Sequence, residues 1–194
     1  MKKTILIAIL VLGTAIASAQ QNNSSIFFGY TNVETKLKMT AQGESESESV
    51  KAPGFFIGVT EEIPINEITS FKPSFIYTNF EFENAGEKTS AIQVPLFIKY
   101  RVSERFALLG GPKLDYLLNT TGSDDDYIND LSIALGLGLE VALNDKIYLI
   151  ANYSIQLSNT LTKQAQEEIS DDLNVNIDIT QKQNYLNLGL AYKF

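Results

Sequence analysis

The sequence predicts an all-β fold, an eight-stranded antiparallel up-and-down transmembrane β-barrel, on three observations. The last ten residues, Tyr185 to Phe194, alternate without a break. Leu186, Leu188, Leu190, Tyr192 and Phe194 fall on one face, and Tyr185, Asn187, Gly189, Ala191 and Lys193 on the other. A period of two is that of a strand, and ten residues of tilted strand is about the length that crosses a bilayer. Turn-bounded runs of this kind number eight along the chain, and the connections between them are short and long by turns, as in barrels that keep both termini on the short-turn side.

Taken in order, the chain opens with Lys2 and Lys3 ahead of an apolar run from Ile5 to Ala17, followed by Ala17-Ser18-Ala19. This is the pattern of a secretory signal peptide, so residues 1–19 are expected to be cleaved and 20–194 to form one barrel domain. The apolar run is shorter than the roughly 20 residues a spanning helix needs. With no cysteine, the chain has neither disulfides nor the acylated cysteine of a lipoprotein, and membrane attachment must come from the fold.

The first strand is placed at 26–38. Phe27, Phe28, Gly29 and Tyr30 stand adjacent there and leave its register open. The second, 54–65, turns Phe55, Ile57, Val59, Ile63 and Ile65 outward, which also puts Glu61 on the lipid face unless a bulge or an interfacial position relieves it. The third spans 70–82. In the fourth, 91–101, Ile92, Val94, Leu96, Ile98 and Tyr100 face out; the fifth spans 106–118. The sixth, 131–143, is the clearest: Leu131, Ile133, Leu135, Leu137, Leu139, Val141 and Leu143 make one apolar face, and Ser132, Ala134, Gly136, Gly138, Glu140 and Ala142 the other. Small residues on the second face suit the crowded interior of a narrow barrel, where about eight strands leave only enough room for side chains. The seventh, 147–158, sorts likewise, and the eighth is 183–194.

Three connections are tight: Asn66 to Thr69, Val102 to Arg105, and Asn144 to Lys146. The others, 39–53, 83–90, 119–130 and 159–182, are long and polar and are expected outside the cell. They hold most of the excess acid: Glu44, Glu46 and Glu48; Asp124, Asp125 and Asp126 with Asp130; Glu167 and Glu168; Asp171 and Asp172. Oxygen-rich clusters of this kind suit calcium or magnesium, and the Asp124–Asp126 run with Asp130 is the weak candidate for such a cation. The full chain carries 15 Lys and Arg against 23 Asp and Glu, a net charge of −8; losing Lys2 and Lys3 leaves 13 against 23, a net charge of −10. Nucleic acid is not expected as a partner, because phosphate binding needs clustered cations.

Strand direction and alternation place Lys72, Lys99, Arg101 and Lys193 inside the barrel near its tight-turn end, with Glu62 and Glu140 as counter-charges and Lys113 and Asp115 together higher up. Charges withdrawn from water need partners, so a structural ion network is expected in the lumen; a gated ion path is the alternative. Outward aromatics, Phe71, Tyr100, Phe106, Tyr192 and Phe194 at one depth and Tyr77, Tyr116 and Tyr153 at another, are expected to form interfacial girdles.

The chain has no histidine. Imidazole is the side chain that readily exchanges protons near neutral pH, so the usual histidine-dependent barrel hydrolases, transferases and proteases are excluded, as are cysteine nucleophiles and His- or Cys-ligated metals. No catalysis and no cofactor are expected.

The segments Gly54-Phe55-Phe56-Ile57-Gly58, Glu62-Ile63-Pro64-Ile65, Gln93-Val94-Pro95-Leu96 to Lys99-Tyr100, and Leu109-Gly110-Gly111-Pro112 resemble those of the small outer-membrane β-barrel domain family common in Bacteroidota, the PorT-like barrels. A strand that ends in Leu190, Tyr192 and Phe194 likewise resembles the insertion signal that outer-membrane barrels present to the barrel-assembly machinery. The resemblance implies an eight-stranded barrel in the bacterial outer membrane, in contact with its lipid and lipopolysaccharide, and no family catalytic residues. The expected function is that of a non-enzymatic integral outer-membrane barrel with a structural or surface-interaction role through acidic outer loops. Alternatives are an accessory subunit or narrow conduit in transport or secretion, and a secreted lipocalin-like carrier, which would need an apolar interior and a polar exterior.

Overall fold

The computed structural model describes residues 23–41, 44–82, 88–118, 128–162 and 177–194. Its elements are β1 (Ser24–Ala41), β2 (Glu44–Glu61), β3 (Ile63–Pro64), β4 (Thr69–Glu81), β5 (Lys88–Arg101), β6 (Phe106–Leu117), β7 (Leu131–Ala142), β8 (Ile147–Gln156) and β9 (Ile177–Lys193). All neighbours pair antiparallel, and a β2–β4 pairing with β1–β9 closes the sheet into a barrel. β3 is the continuation of β2 past Glu62, so the wall has eight staves. The register of this stave against β4 is the same on both sides of the interruption, Thr60↔Ser74 before and Ile63↔Phe71 after, so no bulge is present. In that register Glu61 falls opposite Pro73, which has no N–H to offer. The Glu61 carboxylate accepts a hydrogen bond from the Ser24 hydroxyl, which gives its outward side chain a polar partner.

The predicted faces are those of the structure. Leu131, Ile133, Leu135, Leu137 and Leu139 of β7 are exposed, while Ser132, Ala134 and Glu140 are buried. Leu186, Leu188, Leu190, Tyr192 and Phe194 are exposed as well, with Tyr185, Asn187 and Ala191 inside. The register left open for the first strand is now fixed: Phe27, Thr31 and Val33 point in, Phe28 and Tyr30 out. Adjacent aromatics made that strand unreadable because Phe27 fills the space over Gly58, where an added Cβ would lie 2.7 Å from the Phe27 ring. Gly136 similarly leaves room for Phe97, whose ring would stand 2.5 Å from a Cβ there.

At the long-connection end β1, β2, β5 and β9 extend beyond their predicted limits, while β4, β6 and β8 stop one or two residues short of theirs. Residues 39–41 and 44–53, predicted as loop, are strand: β1 and β2 pair to Ala41↔Glu44, which puts Glu44, Glu46 and Glu48 on a strand. β5 begins at Lys88 and β9 at Ile177. At the other end, one device recurs in all three tight turns. The side-chain oxygens of Asn66, Ser103 and Asn144 each accept hydrogen bonds from the backbone N–H groups two and three residues on. Asn and Ser hold turns in this way because a short polar side chain replaces a backbone acceptor.

Candidate functional site

The interior is the site, and it is filled in layers. Toward the long-connection end, Val33, Ala52, Phe80, Ala91, Leu117 and Tyr185 form an apolar cluster, with Gln156, Thr160 and Gln183 buried beyond it. Phe80 of β4 and Tyr185 of β9 meet edge-on there across the lumen, with ring centroids 6.1 Å apart. Next comes a polar layer that spans the barrel. Lys113 donates to Gln93 Oε1 at 3.4 Å, Asn187 Nδ2 donates to the same oxygen at 3.3 Å, and Thr31 donates to Asn187 Oδ1 at 2.6 Å. Lys113 also stands 3.0 Å from Asp115 Oδ1 and 4.1 Å from the centroid of the Tyr185 ring.

A second apolar layer, Phe27, Phe56, Ile76, Ile150 and Ala191, lies beneath. Below it sits the predicted ion network. Lys72 of β4 reaches across the lumen to Glu140 of β7 and donates a hydrogen bond to its Oε1. Lys99 donates to Glu62 Oε2 at 2.9 Å and holds Glu140 Oε2 at 2.9 Å as an ion contact without hydrogen-bond alignment. Ser70 adds a hydrogen bond to Glu62 Oε1 at 3.1 Å. Two acids and two lysines thus neutralise one another where little water reaches, as buried charges require. A void of about 20 Å³ beside Lys72 and Glu140 leaves room for about one water.

Two predicted members of this network stand apart from it. Arg101 is exposed and donates to the Glu67 carbonyl, and neither Arg101 nor Lys193 forms an ion pair among the described residues. Both line a polar vestibule of about 500 Å³ at the tight-turn mouth, with Glu104, Arg105, Asp145 and Tyr148. The reason is position: each is the last residue of its strand, where the inward direction opens onto solvent. Asp124, Asp125 and Asp126 lie outside the described residues; Asp130 is exposed, and no group of three or more metal-ligating side chains occurs among the described residues. Sequence reasoning missed the spanning chain through Gln93 and Asn187, since neutral amides give no charge signal.

An apolar girdle outside, alternating polar and apolar layers inside, and antiparallel closure define a small transmembrane β-barrel. The profile of the outer membrane protein beta-barrel domain matches residues 5–194, and the chain belongs to that family. Among solved structures it is similar to Neisserial surface protein A, at 17% identity over 87% of this chain and 97% of that one, with a TM-score of 0.50. It is also similar to the attachment invasion locus protein Ail of Yersinia pestis, at 19% identity over 89% and 98% of the two chains with a TM-score of 0.47. OprG from Pseudomonas aeruginosa follows at 13% identity, 89% and 96% coverage and a TM-score of 0.46. At these identities the likeness concerns the fold alone. No curated protein sequence matches the chain.

Proposed function

We propose that the protein is a non-catalytic, non-conducting barrel of the bacterial outer membrane that holds an extended strand-and-loop surface above the membrane for contact with surface partners. Both termini and the tight turns then face the periplasm. The observation that carries this reading is the layered lumen: side chains from different walls meet at four successive levels, which supports a lumen closed to solutes. The same layering weighs against a conduit. A secreted carrier is disfavoured because large apolar side chains cover the outer face while the inner one is largely polar. The zero count of histidine and cysteine supports the absence of catalysis. The strand motifs quoted above support a narrower place among PorT-like barrels, and the net acidity disfavours nucleic acid.

Biogenesis follows from the same reading. The signal peptide is removed after Ala19, and the assembly machinery engages the closing strand through Leu190, Tyr192 and Phe194, whose outward faces lie free on β9. Divalent cations bridging acidic residues such as Asp130 to lipopolysaccharide are a further part of this proposal.

Two measurements test it. Mature protein from purified outer-membrane fractions should migrate differently boiled and unboiled. The same protein in planar bilayers should give no steady conductance, and liposomes containing it should not swell in small sugars. Sustained single-channel steps would overturn the sealed-lumen reading.

A further inference from the structure

The outward face of the sheet carries a second charge pattern, opposite in sign to the rest of the chain. On β1, Lys36 and Lys38 share the parity of the lipid-facing Phe28 and Tyr30; on β9, Lys182 shares that of Leu186 and Leu188. Lys36 and Lys182 are direct partners across the β1–β9 pair, so two lysines are opposite neighbours on one face. Like charges directly opposite on a sheet are destabilising, and among the described residues Glu34, 3.3 Å from Lys36, forms the ion pair that offsets them. The three lysines line a cleft of about 660 Å³ whose other walls include Ser47, Ser49 and Thr180, with the exposed, lipid-facing Ile155 on one side. Three cations, three hydroxyls and an apolar edge therefore converge on one concavity, where the carboxylates of Glu34 and Glu48 leave the lysines in excess by one charge.

Its depth is set by the register. Ile26 pairs with Tyr192 near one end of the apolar belt, and Lys36 pairs with Lys182 ten residues further along both strands. At about 3.3 Å per residue and a tilt of about 40°, ten residues rise roughly 25 Å, which is the height of the apolar band of a membrane barrel. The lysines thus stand at the boundary where the hydrocarbon ends and headgroups begin. Basic pockets at that depth take anionic headgroups.

We infer that this cleft, formed by Lys36, Lys38 and Lys182 with Ser47, Ser49 and Thr180, binds the phosphorylated sugar headgroup of an outer-leaflet glycolipid. The lysines take the phosphate, the hydroxyls take sugar and phosphate oxygens, and an acyl chain runs down past Ile155. The inference rests on the proposed orientation, with the long-strand end outward.

The test titrates the mature protein, folded in detergent micelles, with diphosphorylated lipid A and counts retained lipid by native mass spectrometry. The triple variant Lys36→Gln, Lys38→Gln, Lys182→Gln should bind at least about tenfold more weakly, and dephosphorylated lipid A should lose a similar factor on the unmodified chain. Millimolar inorganic phosphate should not displace the lipid. Equal binding by the triple variant overturns the inference, and full displacement by phosphate makes this a site for the free ion instead. Heat-modifiable migration checks that the variant folds; if it does not, Lys182→Gln alone should still bind severalfold more weakly, and unchanged binding then overturns the inference. Orientation is read separately, by labelling Ser45→Cys on intact cells with an impermeant maleimide. Labelling only after the outer membrane is opened would overturn the orientation whatever the lipid result.

Discussion

The two ends of this barrel handle charge in opposite ways. At the tight-turn end, Lys72, Lys99, Glu62 and Glu140 are buried in the lumen and cancel within one network. At the long-strand end, charges are not gathered into one network: Glu44, Glu46 and Glu48 share the parity of the inward residues of β2, while Lys36, Lys38 and Lys182 lie on the outward face with Glu34 beside Lys36. A closed lumen forces opposite charges into contact because neither can be left unpaired in a medium that solvates them poorly. A sheet wetted on both sides has no such constraint, and its charges are free to be arranged for something other than the fold.

The sharpest way to break this contrast is to remove one member of the buried network. Glu140→Ala leaves Lys72 and Lys99 without their shared partner and should cost about 3–5 kcal/mol, measured by urea titration of the refolded protein with the fraction folded read from gel migration. Conductance in planar bilayers should stay at baseline, since the apolar layers above remain. A smaller effect is expected from Gly136→Ala, which drives a methyl into the Phe97 ring; about 1–3 kcal/mol should be lost in the same titration.

The turns come next. Asn144→Ala deletes an acceptor for two backbone N–H groups at an exposed site and should cost about 1 kcal/mol. Least of all should follow from the far end. Glu44→Gln, Glu46→Gln and Glu48→Gln together should leave stability within about 0.5 kcal/mol, because all three are exposed and unpaired among the described residues. A loss as large as that of Glu140→Ala would erase the difference between the two ends.

The same contrast decides what could be read from the sequence. Where one face meets lipid and the other is packed, as in β7, alternation is strict and both the strand and its inward Glu140 are legible. Direction and parity then bring Lys72, Lys99, Glu62 and Glu140 to one level, and these four do meet. Arg101 and Lys193 share that parity but lie one step too far, at the mouth. Beyond the belt both faces are wet, so Glu44 to Ser49 show no apolar period even though they form a strand. The lysine cleft was illegible for another reason: its residues come from three strands, and only the β1–β9 register joins Lys36 to Lys182.

The layered lumen also bears on how this protein ages in a genome. Barrels that carry a separate plug become leaky when that plug is shifted or lost. In the non-conducting barrel proposed above, the stopper is the inward half of every stave, so no single part can be withdrawn while the wall stands. Opening it would take coordinated changes at several levels, each passing through a less stable protein. Such a barrel can be made in quantity, and its outer surface can drift freely, without putting the permeability barrier of the cell at risk.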